Sequence, residues 1–344
     1  MNIIIPSVQV PFIKGGADFH INNLHRALNK FGHKVEVVRF PFKFNPPEYI
    51  IDLIKFVKNL NFNEFNGYHI DKVISLQFPA YYVNHHDKTL WIMHQHRSVY
   101  DLYNISDKSS KLKELRDIII SSDNQCFKSV SNPIFANSKN VARRLKYFNN
   151  IDAIPLYHPP HDEDKFYCDH VENYIFFPSR LEYLKRQDLV IRAFKFVKSP
   201  IKLYLAGEGS HYHNYKKLIE ELNLQHKVKL LGRVSQDDKI KLYANALGVV
   251  FPPQDEDYGY VTLEGMLSKK PIITCKDSGG VLEFVEDRVN GFITEPTPQH
   301  IAEKIEWLYN HKKEAIGLGQ NGYDLYKSKN ISWDNVVSTL LGLK

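Results

Sequence analysis

Glu256 and Glu264 stand in one run, Glu256-Asp257-Tyr258-Gly259-Tyr260-Val261-Thr262-Leu263-Glu264. The apolar run Val249-Val250-Phe251 and the turn Pro252-Pro253 precede it. Glu256 is therefore expected in the loop after a buried strand, and Glu264 in the first turns of the next helix. Gly259 permits a tight backbone turn into that helix. The helix N-terminus offers free N–H groups and partial positive charge, which suit a phosphate. Ionised carboxylates on either side accept hydrogen bonds from hydroxyls. Hydroxyls on two sugars with phosphates between them are what a nucleotide sugar presents. The plainer reading is a pair of acids that only complement the helix dipole.

Arg180 and Lys185 form a second constellation, in Ser179-Arg180-Leu181-Glu182-Tyr183-Leu184-Lys185-Arg186-Gln187-Asp188. The run follows a strand ending at Phe177 and leads into a helix. Arginine presents a planar fork to phosphate oxygens and lysine a point charge. Two such cations stabilise a departing diphosphate, whose charge grows as its bond to the sugar breaks. An exposed basic loop is the alternative, and Arg186 fits that alternative best.

Three further segments lie between a strand and a helix start. Asp277-Ser278-Gly279-Gly280-Val281-Leu282-Glu283 carries paired glycines, which permit close approach of backbone to a ligand, against the alternative of a simple turn and cap. Lys14-Gly15-Gly16-Ala17-Asp18 places a second glycine pair before the first helix. His94-Gln95-His96-Arg97 follows a strand, a position suited to a substrate contact. Two histidines are half a metal site, but no partner cluster accompanies them, so no metal is expected. The DxD patterns at 255–257 and 162–164 are too short and common to carry weight. Neither GxGxxG nor GxxxxGK[ST] occurs, which argues against dinucleotide and ATP sites.

Short apolar runs alternating with helical patterns must position these groups, the mark of βαβ units and a parallel sheet. In the first half, residues 2–5, 35–38, 73–76, 90–93 and 134–136 read as strands. Residues 18–31 read as an amphipathic helix, and 139–148 as a basic helix capped by Ser138. The pattern restarts after the polar stretch 159–173. Strands follow at 174–177, 202–206, 228–231, 248–251 and 272–274, with helices at 188–197, 215–222, 237–244 and from 259. Helices at 300–310 and 332–343 close the chain. A length of 344 residues fits two α/β domains, 1–168 and 169–328, with a last helical segment, 329–344. Parallel sheets put ligand loops at the C-terminal ends of their strands, and two facing sheets are expected to make an interdomain cleft.

Bulk properties exclude several classes. Lysine plus arginine total 45 and aspartate plus glutamate 39, a formal charge of +6. Residues 1–168 hold 21 of the former and 16 of the latter, so 21 − 16 = +5 lies in the first half. That excess is too diffuse for a nucleic-acid footprint. A hydrophobic fraction of 43% excludes wholesale disorder. No apolar run is long enough to span a membrane, and the start lacks the basic region of a signal peptide. Cys126, Cys168 and Cys275 form no CxxC or zinc spacing, which fits a reducing cytoplasm.

In their order, these motifs resemble the retaining glycosyltransferases of family 4, over nearly the whole chain. Gly15-Gly16 through Gly32-His33-Lys34-Val35 is similar to the family's opening glycine-rich stretch, and Asn137-Ser138 to the NS segment near the end of its first domain. Arg180 with Lys185 resembles its R-x4-K clamp. Gly207-Glu208-Gly209 and Gly232-Arg233-Val234 resemble its GxG and nucleobase-side segments. Glu256 to Glu264 fits its E-x7-E motif. Pro271 through Gly279-Gly280 and Glu283, then Asn290-Gly291, match its closing segments. Arg186 stands where many members have glycine, and His158-Pro159-Pro160 replaces the usual N-G-(V/I)-D stretch.

The resemblance implies a GT-B fold, with two Rossmann-like domains and the last helix returning to the first. Residues 1–168 would serve the acceptor and 169–328 the nucleotide sugar. It implies Arg180 and Lys185 on the donor diphosphate, Glu264 on the ribose, and Glu256 on the donor sugar near the anomeric carbon. His94, or His96 in another register, would touch that sugar, and Gly16 would let backbone approach it. Gly207, Arg233, Val234, Gly259, Tyr260 and Val261 complete the donor contacts. The implied reaction is metal-independent transfer with retention, without a cofactor, from a UDP- or GDP-linked sugar to a glycan or lipid-linked glycan. The implied setting is cytoplasmic, with peripheral membrane contact through the basic first half and no nucleic-acid partner. The competing readings are a non-catalytic nucleotide-sugar-binding protein, a nucleotide-sugar epimerase, a glycogen-phosphorylase-like enzyme and, more weakly, a dehydrogenase.

Overall fold

A computed structural model of the chain describes residues 1–13, 15–103 and 109–343. It divides into two compact units, Met1–His161 with Ser332–Lys344, and Asp162–Ile331. The segment 162–168 packs within the second unit. The Tyr326 hydroxyl donates to Glu163 (2.8 Å), Phe166 meets the Tyr243 ring edge-on, and Cys168 lies 3.4 Å from Lys270 Nζ.

The strands of the first unit are β1 (Asn2–Gln9), β2 (Lys34–Pro41), β3 (Glu64–Phe65), β4 (Tyr68–His69), β5 (Lys72–Gln77), β6 (Lys88–His94), β7 (Phe135–Ala136) and β8 (Ile154–Pro155). β3 and β4 form a separate antiparallel hairpin. The others make one parallel sheet in the order β2-β1-β5-β6-β7-β8. Its helices are α1 (Gly16–Lys30), α2 (Pro47–Lys58), α3 (Ser110–Ser129) and α4 (Lys139–Asn149).

The second unit repeats the plan. Strands β9 (Tyr174–Pro178), β10 (Lys202–Ala206), β11 (Val228–Gly232), β12 (Gly248–Val250), β13 (Ile272–Cys275) and β14 (Gly291–Thr294) form a parallel sheet in the order β11-β10-β9-β12-β13-β14. Helices α5 (Gln187–Ala193), α6 (Tyr212–Glu221), α7 (Gln236–Asn245), α8 (Tyr260–Leu267), α9 (Pro298–Asn310) and α10 (Lys312–Ser328) belong to it, and α11 (Trp333–Leu340) ends the chain. The strands read as unbroken apolar runs because helices cover both faces. Ile175, Phe176 and Phe177 in β9 are all fully buried.

Three helices escape the sequence pattern. α10 contains Gly317, Gly319 and Gly322, residues that disfavour a helix interior. The packing explains Gly319, since a Cβ there would lie 2.0 Å from the Lys269 carbonyl oxygen. α2 begins inside the aromatic tract 40–49. That tract mostly packs: Phe40 and Phe42 are buried in the first-unit core, and the Tyr49 hydroxyl donates to the Pro41 carbonyl. α3 starts at the Ser109 cap, whose side chain accepts from the Leu112 N–H.

The last helix returns to the first unit, as expected. Ser332 caps α11, accepting from the Asn335 N–H at 3.1 Å. Val336, Val337 and Leu340 are buried in one cluster with Ile3, Ile5, Leu24, Leu28 and Trp91. Leu340→Ala is expected to destabilise this unit by about 2–5 kcal/mol. Urea unfolding followed by tryptophan fluorescence reads it through Trp91 and Trp333, which lie in the same cluster. An unchanged midpoint would mean that α11 is not docked there.

Candidate functional site

Three loops leave the C-terminal ends of β9, β12 and β13, which lie side by side in the second sheet. Backbone hydrogen bonds stitch them together. The Gln254 N–H donates to the Leu184 carbonyl (2.8 Å), and the Asp255 N–H to that of Asp277 (2.9 Å). The Glu256 N–H donates to the Ser278 carbonyl (3.2 Å), and the Gly280 N–H to that of Glu256 (2.8 Å). Gly279 has φ +63 and ψ −125, a conformation essentially reserved for glycine. A Cβ on Gly280 would sit 2.6 Å from the Asp257 carbonyl oxygen. The Gly279-Gly280 pair is thus required by the approach of the third loop to the second.

Side chains reinforce this frame. Lys185 Nζ forms an ion pair with the Glu256 carboxylate, each side chain 18% exposed. Arg186, next in sequence, makes two parallel hydrogen bonds to Asp277, at 2.9 and 2.6 Å. Arg186 is therefore not the exposed basic residue that the sequence suggested. Arg180 is exposed, and its guanidinium makes no ion pair among the described residues. The Arg180 carbonyl accepts from the buried Gln187 side chain at 2.8 Å, which seats its loop. Gly207 and Gly209 lie under the same loop. Added Cβ atoms would meet the Ser179 and Leu181 carbonyl oxygens at 2.0 and 2.3 Å. In the structure the GxG segment lets two loops cross. Arg233 is exposed and Val234 half-buried, just beyond Gly232 at φ +65.

Glu264 is buried in the second turn of α8. Its Oε1 pairs with Lys239 Nζ at 2.7 Å, and its Oε2 accepts from the Tyr243 hydroxyl at 2.8 Å. Burial and the Glu264 charge push the phenols of Tyr243 and Tyr260 well above the usual range. Lys239 and Tyr243 went unremarked in the sequence, although their i, i+4 spacing on α7 puts them on one helix face. Gly259 enters α8 at φ +88, with Val281 Cγ2 only 2.9 Å from where a Cβ would stand. Tyr260 and Val261 follow as the first residues of the helix.

The remaining candidates lie in the first unit. Gly16 opens α1, and the N–H of its cap Gly15 donates to the Asp18 carboxylate at 2.9 Å. Lys14 lies outside the described residues. His94 ends β6 half-buried, with Nδ1 2.8 Å from the Gln95 carbonyl. His96 packs against Phe78 and Phe42, ring centroids 5.0 and 6.3 Å away. Among the described residues, no three His, Cys, Asp or Glu side chains gather as metal ligands would.

Burial, aided by the His94 charge, pushes His96 down to about 4 from an ordinary 6.5. The unfolded chain then binds more protons between those values, so this contribution to stability is lost as pH falls from about 6.5 through 4. His158, pushed to about 3 by burial, adds to the same acid limb. His96→Phe is expected to make that limb shallower in urea unfolding at a series of pH values. An unchanged slope would mean a solvated ring.

Residues 162–325 match the family described as Glycosyl transferases group 1. The chain is 27% identical to an uncharacterized glycosyltransferase of Methanocaldococcus jannaschii, over 98% of this chain and 96% of that one. Sucrose-phosphate synthase from Thermosynechococcus elongatus superposes with a TM-score of 0.79 at 16% identity, covering 99% of this chain and 97% of that one. HepE from Anabaena, solved with UDP and glucose, gives a TM-score of 0.72 at 16% identity, covering 99% and 98%. The matched region lies within the second unit, and the fold of the chain is GT-B.

Proposed function

We propose that this glycosyltransferase moves a hexose, with retention of configuration and without a metal, from a UDP- or GDP-linked sugar to a hydroxyl of a glycan or lipid-linked glycan. The observation that carries the reading is the Lys185–Glu256 ion pair between the loops at the adjacent ends of β9 and β12, with Arg180 in the first of these loops and the α8 N-terminus following Glu256. HepE, of the same fold, holds UDP and glucose, which supports the donor class.

In this reading the donor diphosphate lies against Arg180, Lys185 and the first amides of α8, at Gly259, Tyr260 and Val261. A phosphate beside Lys185 competes with Glu256 for the ammonium and turns the carboxylate toward the sugar hydroxyls. Charge grows on the leaving diphosphate as the anomeric bond breaks, and the two cations stabilise it. A leaving phosphate oxygen takes the proton of the acceptor hydroxyl, which enters on the same face. Lys239 and Tyr243 hold both oxygens of Glu264, so its remaining lone pairs point in a fixed direction for the ribose hydroxyls. Of the two histidines we assign His94 to the donor sugar, a choice supported by the packing of His96 against Phe78 and Phe42. We assign Gly16 to the donor as well, and Gly207, Arg233 and Val234 to the nucleobase.

Membrane contact belongs to this proposal as well. No helix among the described residues is long and apolar enough to cross a membrane. Phe12 and Phe44 are exposed in the loops after the neighbouring strands β1 and β2, beside exposed Lys43. Flotation with anionic liposomes at low salt tests a peripheral role, and absence of binding there removes it.

Arg180→Ala and Lys185→Ala are each expected to lower kcat at least about 100-fold, the scale of one lost transition-state donor. The assay is release of nucleoside diphosphate with formation of a glycoside, its anomeric configuration read by NMR, with and without EDTA. Near-normal turnover of both variants would refute the assignment. Tight donor binding without any turnover would favour a binding protein. A thermal-shift panel of UDP and GDP sugars selects the donor, because ligand at 100 times its Kd adds about 2.7 kcal/mol.

A further inference from the structure

We infer that Arg186 and Asp277 form a clasp that positions Lys185 for the donor, making Arg186 a positioning residue rather than a ligand of the diphosphate. The inference rests on the proposed role of Lys185. Arg186 has φ +57 and ψ +40, a left-handed backbone that disfavours any residue with a Cβ. Its side chain caps nothing on α5. Instead the guanidinium reaches the loop after β13 and meets Asp277 fork to fork, at 2.9 and 2.6 Å. Such a planar two-bond pair fixes direction as well as distance.

The topology gives this pair its meaning. β12 lies between β9 and β13 in the sheet, so the clasp spans the loop that carries Glu256. The second and third loops are already joined by main-chain bonds between Asp255 and Asp277, Glu256 and Ser278, and Gly280 and Glu256. The first loop joins them through the Gln254–Leu184 bond, the Lys185–Glu256 pair and the Arg186–Asp277 clasp. The Lys185–Glu256 pair cannot anchor the first loop while Lys185 is on a phosphate. The clasp is one residue away and neutralised by its own carboxylate. It can therefore hold the Lys185 backbone in place through that exchange, and it keeps a third cation from competing for the diphosphate.

The test compares Asp277→Ala, Arg186→Gly and the double variant. Glycine suits the positive φ, so Arg186→Gly removes the clasp without straining the loop. Each single variant is expected to raise the donor KM about tenfold and to weaken UDP or GDP binding equally in calorimetry, with kcat within about threefold. The double variant should be no worse than either single one, because the pair acts as a unit. Arg186→Lys, which keeps the charge but not the fork, should behave like Arg186→Gly. Donor KM within twofold of the parent in both single variants would overturn the inference. So would tighter nucleotide binding in Asp277→Ala, which would make Arg186 a masked phosphate ligand, or losses that multiply in the double variant. Arg180→Ala and Lys185→Ala are run alongside. If they are inactive while the clasp variants are normal, only this inference fails; if they are active, the reading of the site itself fails.

Discussion

The Lys185–Glu256 ion pair is the interaction on which the second unit's site is organised. Three loops approach so closely that each needs glycine or an unusual backbone where they touch: Gly207 and Gly209 under the first, Gly259 after the second, Gly279 and Gly280 in the third. Backbone hydrogen bonds fix the frame. The ion pair then places one cation and one anion, both largely shielded from water, at its centre. Half-buried opposite charges hold each other when nothing else is present, and either can be drawn to a better partner. That property suits a site meant for a substrate carrying both phosphates and hydroxyls.

Glu264 obeys the same rule with a different outcome. It is buried more deeply than Glu256, and a buried carboxylate needs partners. Lys239 and Tyr243 supply one for each oxygen. The two glutamates thus differ by environment: one is paired with a cation that a substrate can compete for, the other is fixed by two residues of α7. A carboxylate fixed in this way fits recognition, and one in an exchangeable pair fits a place beside the reacting carbon.

Much of this was legible in the sequence where side-chain type and strand position carry the information. Arg180, Lys185, Glu256 and Glu264 follow apolar strands, and a strand end in a parallel sheet is where ligands are met. The alternation of apolar runs also marks most central strands of both sheets. What the sequence hid depends on contacts between distant segments. The glycines of α10 argue against a helix until the approach of Gly319 to Lys269 is seen. Arg186 reads as an exposed cation until Asp277, on another loop, is brought to it. His96 reads as a free strand-end imidazole until Phe42 and Phe78 are brought to it in the same way.

The first unit holds its own candidate residue by a device that no local pattern announces. Asp123 on α3 is fully buried, and three phenols converge on it: Tyr81 and Tyr82 donate to Oδ1 at 2.7 and 2.6 Å, and Tyr100 to Oδ2 at 2.6 Å. Burial raises this carboxyl to about 6, while the three hydroxyls act in the opposite direction. Tyr100 continues the network, accepting from Asn149, which in turn accepts from the Gln95 side chain. Gln95 lies between His94 and His96. The network therefore ties the segment after β6 to α3 and α4 through polar bonds rather than through apolar packing alone. A buried polar network of this kind specifies one arrangement more sharply than apolar contact does, because a shifted loop would leave several more buried groups without partners. His94 thus owes its fixed place to side chains that lie far from it in sequence.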